Sequence, residues 1–569
     1  MKKLYFTVSA LIAAGFAPLM MSAQSATDAY QISQYDLKGT ARFMSMAGAF
    51  GALGGDLSTL SQNPAGIGVY RSSELGFTLN LDAQQSTAKS MGVGNTENQT
   101  RFYLNNIGGV ATIRLNSSAV PNFNIGFTYN KAASFDRKYS GRIPTLNTSL
   151  SNYIAGVANT YGLTEADVRA TDNYEPYKNP KVPWMTILGY DAMLIDPEIV
   201  HTNGGQATEW YGQFGDGTTG NATFGVSERG SVDEYNIAFG GNINNVVYWG
   251  MNFDIVSMDY RISSMWNENL QNAWVFNPDT EKVSQMDARW ALKDYYRLSG
   301  TGFNYQLGVI VKPIQELRLG LAFHTPTFYK LTETFDPETI DYSYPFGSDY
   351  AVTNNNEGNW NSVNLTSPWK VIASVAGVIG QKFIVSADYE WIGYSGMRFS
   401  KASSYNYGYD DPWWDYDYDF GYYSSRATTP DLTYDSNPEE FSNQKIKQIY
   451  KGTSTIRIGA EYRVTPSFSV RAGYSYTTSP VTDEAKKEIA TVPSAGIISN
   501  YRLDNSTNYV TCGLGYRYRG FYIDAAYVWK HLSSEYYPFS PDPASEMPSE
   551  KASLSLNNSQ VVVSLGFKF

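Results

Sequence analysis

From Leu75 onward the chain repeats one pattern: apolar and polar residues alternate at period two, as in a β-strand with two unlike faces. Leu75, Phe77, Leu79 and Leu81 alternate with Gly76, Thr78 and Asn80. Val247, Trp249, Met251, Phe253 and Ile255 alternate with Tyr248, Gly250, Asn252 and Asp254. The pattern returns at Phe303–Val311, Leu317–Phe323, Phe383–Trp391, Ile456–Tyr462 and Phe468–Tyr476, and it closes the chain with Val561, Val563, Leu565, Phe567 and Phe569. A soluble sandwich alternates too, but here one face of strand after strand carries no charge while the other carries Asp, Glu and Arg freely. Lipid explains that asymmetry, because Arg or Lys on the outer face at the bilayer midplane costs roughly 2–4 kcal/mol. Open strand edges cannot sit in hydrocarbon, so the strands must close into a barrel.

The connections supply the topology. Short links at Leu115–Pro121, Ile243–Asn245, Lys312–Glu316, around Gly380, Val464–Ser467 and Arg519–Gly520 alternate with long ones. The long links are expected at Asp82–Thr100, 138–229, 263–293, 332–368, 400–444, Val481–Asn500 and Leu532–Asn558. Short turns on one side and long loops on the other are the outer-membrane pattern of periplasmic turns and extracellular loops. The expectation is an all-β transmembrane antiparallel barrel of about 14 strands over 72–569, an even number as in bacterial single-chain barrels. Strand ends placed only to within a few residues also admit twelve or sixteen.

Composition then sets the compartment. The 569 residues have a net charge of -11, 15% aromatic residues and a single Cys, with a mean hydropathy of -0.34, which excludes a bundle of membrane-spanning helices. Lys2 and Lys3, the apolar run Leu4–Met21 and the small pair Ser22-Ala23 make a secretory signal peptide over 1–23. Cleavage there takes the charge to -13 and leaves no Cys at the new terminus for lipid attachment. Asp and Glu outnumber Lys and Arg, 54 to 43, and no basic cluster offers a nucleic-acid footprint. The lone Cys512 cannot make an intramolecular disulfide.

Candidate chemistry is sparse. His201, His324 and His531 stand apart from one another, outside any zinc-ligand spacing, and no phosphate-binding loop is present. A Ser/His hydrolase would have to use His324, which a lumen-lining role explains as well. No cofactor or metal is expected, and no enzyme. The stretch Tyr405–Tyr423 packs Tyr405, Tyr407, Trp413, Trp414, Tyr416 and Tyr418 among Asp residues. Asp415, Asp417 and Asp419 begin like a calcium loop, but Phe420 stands where Gly is needed and no Glu follows at the twelfth position. Its functional reading is a capture surface for apolar or glycan ligands; its structural reading is an extracellular hairpin or an interfacial girdle.

Residues 24–71 do not alternate. Their small residues pack closely but make a poor lipid-facing strand, and their length suits a plug inside the barrel; a disordered periplasmic leader is the alternative. The run GTARFMSMAGAFGALGGDLSTLSQNPAGIG resembles the N-terminal signature of FadL/TodX-type outer-membrane transporters. Leu319–His324 before Thr325-Pro326, and Arg457–Tyr462 followed by Arg471–Tyr474, resemble barrel strands of that family. The resemblance implies a hatch over 24–71, with Arg42, Asp56, Asn63, Pro64, Ala65 and Gly66 as its gating residues. It implies passive uptake of hydrophobic small molecules, long-chain fatty acids first, with lateral exit at a kinked early strand, Asn122–Phe135. Asp254, Arg457, Glu461 and Arg471 are expected to brace the lumen or hold the hatch. Partners are outer-membrane lipid, the apolar ligand and the barrel assembly machinery, which would read the C-terminal Phe569. An adhesin or ligand-binding surface barrel and a general porin are the alternatives, and an aromatic hydrocarbon or haem the alternative ligands.

Overall fold

A computed structural model of the chain describes residues 25–569 except 180, 203–204, 278–279, 281, 336–338, 344–349, 354–358, 381, 402–437, 488–498 and 542–546. The signal peptide expected at 1–23 and the aromatic stretch 405–423 lie outside the described residues.

Fourteen strands form one ring. They are β1 (Glu74–Ser90), β2 (Val93–Arg114), β3 (Asn122–Ser134), β4 (Thr219–Ile243), β5 (Val247–Asn277), β6 (Lys282–Val311) and β7 (Leu317–His324). The second half comprises β8 (Lys370–Ile379), β9 (Phe383–Gly393), β10 (Gly452–Arg463), β11 (Phe468–Thr477), β12 (Tyr501–Tyr518), β13 (Phe521–Tyr537) and β14 (Ala552–Lys568). Each pairs antiparallel with the next, and β14 returns to β1 from Glu74↔Lys568 to Lys89↔Ser553, closing the barrel. Ser73 and Phe569 exchange two backbone hydrogen bonds of 3.0 Å at the seam, on the same end as the short turns. Alternation decides the faces: Leu75 and Leu81 are outward and exposed at 58% and 46%, whereas Thr78 and Asn80 between them are fully buried.

Two of the expected loops are strands. Asp82–Thr100 is the top of the β1–β2 hairpin, closed by Met91 (φ 47°) and Gly92 (φ 85°). That positive-φ pair matches the twist of the flanking strands and needs only two residues to turn. Residues 263–293 are likewise the top of the β5–β6 hairpin, paired as far as Asn277↔Lys282. The chemistry of the two faces reverses along β5 without any change of period. Outward Met251 and Ile255 give way to Ser257, Asp259, Arg261 and Ser263, while inward Asn252 and Asp254 give way to Val256, Met258, Tyr260 and Ile262. The strand leaves lipid for water at that point, so its apolar side turns inward.

Above the reversal, residues 144–218 build a cap from the helices Leu150–Thr160 and Trp184–Asp191 and the hairpin Ile195–Thr202 with Gly205–Gly212. The expected loops 138–229 and 332–368 also contain the short strands Arg137–Ile143, Phe328–Phe335 and Asn359–Thr366, which lengthen the barrel wall. Cap residues Ile154, Leu188 and Trp210 join inward-facing Tyr260, Trp266 and Trp290, and Phe539 just past β13, in a single apolar core. Phe224 and Tyr536 stack within it at 4.3 Å between centroids.

Candidate functional site

The lower half of the lumen is occupied by the chain's own N-terminal segment. Residues 25–70 are almost entirely buried, and their backbone is met by polar side chains from all around the ring. The helix Ala26–Ile32 stands in the upper apolar core, where Tyr30 stacks on Tyr450 at 4.8 Å. From Leu37 the segment descends. Ala41 N–H donates to Ser564 Oγ at 2.7 Å, Thr511 Oγ1 to the Ser45 carbonyl at 2.9 Å, and Asn252 Nδ2 to the Leu60 carbonyl at 3.2 Å. Asn124 Nδ2 donates to the Ile67 carbonyl at 2.7 Å. The irregular backbone thus finds partners that an apolar wall could not offer.

Each residue expected in the segment or the lumen has a definite place here. Arg42 Nε meets Glu461 Oε2 at 3.0 Å, and the same oxygen takes Arg471 Nε at 2.7 Å. Asp56 caps the 3-10 helix Leu57–Ser61, accepting from Ser58 N–H at 3.0 Å and from Thr40 Oγ1 at 2.7 Å. Asn63 caps the next one, Pro64–Val69; its Oδ1 accepts from Ala65 N–H at 3.1 Å and its Nδ2 donates to the Gly51 carbonyl. Gly66 lies against Gly54, whose φ of 65° sets the turn, and its carbonyl accepts from Gly55 N–H at 3.1 Å. Gly250 and Gly308 on the wall leave room for the backbone at 63–65, since a Cβ at Gly250 would fall on the Pro64 carbonyl. Arg457 and Asp254 brace the wall instead, through Glu390 at 2.7 Å and Asn304 at 3.0 Å. His324 is buried with Nε2 at 2.8 Å from the Gln62 carbonyl, a contact to the segment. Phe569 is 63% exposed and stacks on Phe567 at the barrel's lower rim. The aromatic residues 405–418 lie outside the described residues.

Among the described residues the ladder of the wall is interrupted above Thr477↔Thr507, between β11 and β12, and more extensively between β2 and β3. β2 and β3 are paired only from Asn106↔Asn130 down to Arg114↔Asn122. Above that level, residues 93–105 have no ladder partner on the β3 side, and β3 slips register against β4 between Lys131 and Ala133. Side chains span the split: Tyr103 Oη donates to Asp136 at 2.6 Å, and Asn95 Nδ2 to Ser140 Oγ at 2.6 Å. Behind it the N-terminal segment holds the displaced strand. Asp36 N–H donates to the Ala132 carbonyl at 2.9 Å, and Ser134 N–H donates to Asp36 Oδ2 at 3.2 Å. Lys530 pairs with the other Asp36 oxygen. Burial raises the Asp36 carboxyl, but Lys530 and Lys38 more than offset it and hold the group well below the usual carboxylate range. A polar cavity opens here, lined by Asp36, Lys38, Asp82, Asp136, Arg137 and Lys530 among others.

Sequence reasoning missed Asp388, which accepts Gly51 N–H at 2.9 Å and Gln62 Nε2 at 3.0 Å. It also missed Asn105, the residue of a β-bulge opposite Thr78/Leu79, whose Nδ2 turns in toward the Gly39 carbonyl at 3.4 Å. Inward parity marks Asp388; nothing in the sequence marks the bulge.

Comparisons with known proteins follow this geometry. Among solved structures, the chain is similar to a FadL homologue of Pseudomonas aeruginosa, with 13% identity and a TM-score of 0.49 over 94% of this chain and 100% of that one. It is similar also to the P. putida toluene transporter TodX, at 12% and 0.46 over 94% and 99%. A third is the Ralstonia pickettii toluene transporter TbuX, at 12% and 0.42 over 94% and 99%. No curated protein matches the chain. The family model of the outer membrane protein transport proteins (OMPP1/FadL/TodX) matches residues 202–562, and the chain belongs to that family of outer-membrane transporters.

Proposed function

We propose that the protein takes up hydrophobic small molecules passively across the outer membrane, and that its ligands are long-chain fatty acids. The observation that carries this reading is the split between β2 and β3, unsupported by a ladder, beside a polar cavity that opens under an apolar upper lumen. An amphiphile matches that sequence of environments: its chain suits the Trp- and Tyr-rich core, and its carboxylate suits Lys38, Arg137 and Lys530 by replacing Asp82, Glu228 or Asp36, with which they are paired. A plain hydrocarbon gains nothing from the cations. Transfer to the bilayer is then downhill, because the lipid phase is the one the chain prefers.

Residues 24–71 act as the hatch in this reading. Asp36 belongs to the segment and also holds the displaced backbone of β3, so a shift of the hatch loosens the split from behind. Rearrangement around Asn63, Pro64 and Ala65 frees the lower part of the segment, and the loop bearing Tyr405, Trp413, Trp414 and Tyr418 gathers ligand outside. The test is uptake of labelled oleate by a Gram-negative strain that lacks its own long-chain fatty-acid transporter. Expression of this chain is expected to restore uptake, and to restore it more for oleate than for toluene. Equal restoration of both would reject the fatty-acid assignment, and restoration of neither would reject transport of this class.

A further inference from the structure

The lower rim of the lumen, beneath the N-terminal segment, holds cations that its carboxylates do not match. Glu461 is already shared between Arg42 and Arg471, at 3.0 and 2.7 Å. Asp524 takes Arg471 at 2.6 Å, and Glu74 takes Lys568 at 2.9 Å as well as the Tyr522 hydroxyl at 2.6 Å. Arg71, Arg318 and Arg517 have no ion pair among the described residues. Arg318 spends Nη1 on the Leu53 carbonyl at 2.7 Å, and its Nε is buried without a partner. Arg318 and Arg517 sit at inward parity on β7 and β12, and both are only partly exposed. Arg42 lies within electrostatic range of both and Arg71 within range of Arg318, while Arg517 faces Arg471 and the carboxylates of Asp524 and Glu461, which are already paired with Arg42 or Arg471.

A half-buried mouth with more guanidinium groups than carboxylates to pair them favours a further counter-charge, because desolvation strengthens the repulsion left over. Guanidinium groups also offer the forked donors that oxyanions accept in pairs, and a recess lined by one sign of charge concentrates the opposite ion. We infer that the periplasmic mouth of the barrel, at Arg71, Arg318 and Arg517, is a binding site for an oxyanion, a carboxylate or a phosphate. Neither the hatch nor the lateral route needs such a site, and it stands whether or not the ligand proves to be a fatty acid.

Arginine labelling by phenylglyoxal, read residue by residue by mass spectrometry on the full chain in phosphatidylcholine nanodiscs, tests it. Inorganic phosphate is expected to slow labelling of Arg318 and Arg517 several-fold relative to chloride at equal ionic strength, and to leave the turn residue Arg519 unchanged. Arg318→Gln is expected to weaken the protection of Arg517, whereas Arg519→Gln leaves it intact. Dodecanoate replaces phosphate in a second arm, and phosphatidylglycerol is added to the disc in a third. Protection by dodecanoate identifies a soluble carboxylate and protection by phosphatidylglycerol a lipid headgroup, and either supports the site. Equal labelling in phosphate and chloride, or equal protection of Arg519, would overturn it.

Discussion

The two halves of the lumen are sealed by opposite means. Below the reversal in β5, the wall presents Asn124, Asn252, Asp388 and Thr511, and the N-terminal segment docks on them through directional hydrogen bonds. Above it, the wall presents Tyr260, Trp266 and Trp290, and the cap closes the lumen with apolar packing. The contrast separates two requirements. A segment of irregular backbone must have its polar groups met wherever it is buried, which fixes it in one register. An apolar seal has no such register, so an apolar ligand can replace part of it without leaving a polar group unpaired.

The strongest way to break the comparison is to remove one seal. Deleting residues 25–70 from a barrel that already lacks the cap 144–218 is expected to convert near-zero conductance in planar bilayers into an open pore; unchanged conductance would mean the segment obstructs nothing. Trp210→Ala, in the cap, is expected to cost about 3–5 kcal/mol locally. Its indole donates to the Leu163 carbonyl at 2.7 Å, and hydrogen exchange should rise across 150–212 while the lower strands stay protected. Gly250→Val puts a side chain against Pro64 and is expected to cost about 1–3 kcal/mol, read as faster exchange at 60–68 and leakage of a small polar dye. Asp388→Ala leaves Gly51 N–H without its acceptor and the Gln62 amide with the Gly48 carbonyl alone. That change is expected to cost about 1–3 kcal/mol and to expose 48–62 without disturbing the cap.

The smallest effect concerns pH and belongs to the cap alone. Burial pushes the Asp196 carboxyl up to about 7, above the ordinary value of about 3.9. The folded cap therefore holds the proton more tightly than the unfolded one, and this contribution to stability is present in acid and is lost as pH rises through about 7. Exchange protection of 195–212, corrected for intrinsic rates, is expected to fall between acid and mildly alkaline pH. Asp196→Asn should flatten that slope.

The membrane-spanning part was legible because lipid imposes a strict rule: Leu75, Phe77 and Leu81 must alternate with Thr78 and Asn80, and the strand count follows. The upper hairpins were not, because at Val256 the same alternation continues with its faces exchanged. A reading that follows apolar-out positions loses the strand there and assigns 263–293 to a loop. The residues proposed to gate were visible as a motif, but their contacts were not, since Asp56 and Asn63 serve as caps of 3-10 helices. The split at Asn106 and Asn130 depends on a bulge and a register slip, which leave no local mark in composition.

The central claim is that ligand leaves sideways between β2 and β3. Tyr103 and Ser134 face each other across the split, with their hydroxyls 3.1 Å apart. In a Cys512→Ser background, Tyr103→Cys and Ser134→Cys can be joined by a short bifunctional thiol reagent with a cleavable spacer, and oleate uptake measured before joining, after joining and after cleavage. The account expects joining to abolish uptake and cleavage to restore it, while the barrel's heat resistance is unchanged. Full uptake through the joined barrel would contradict it.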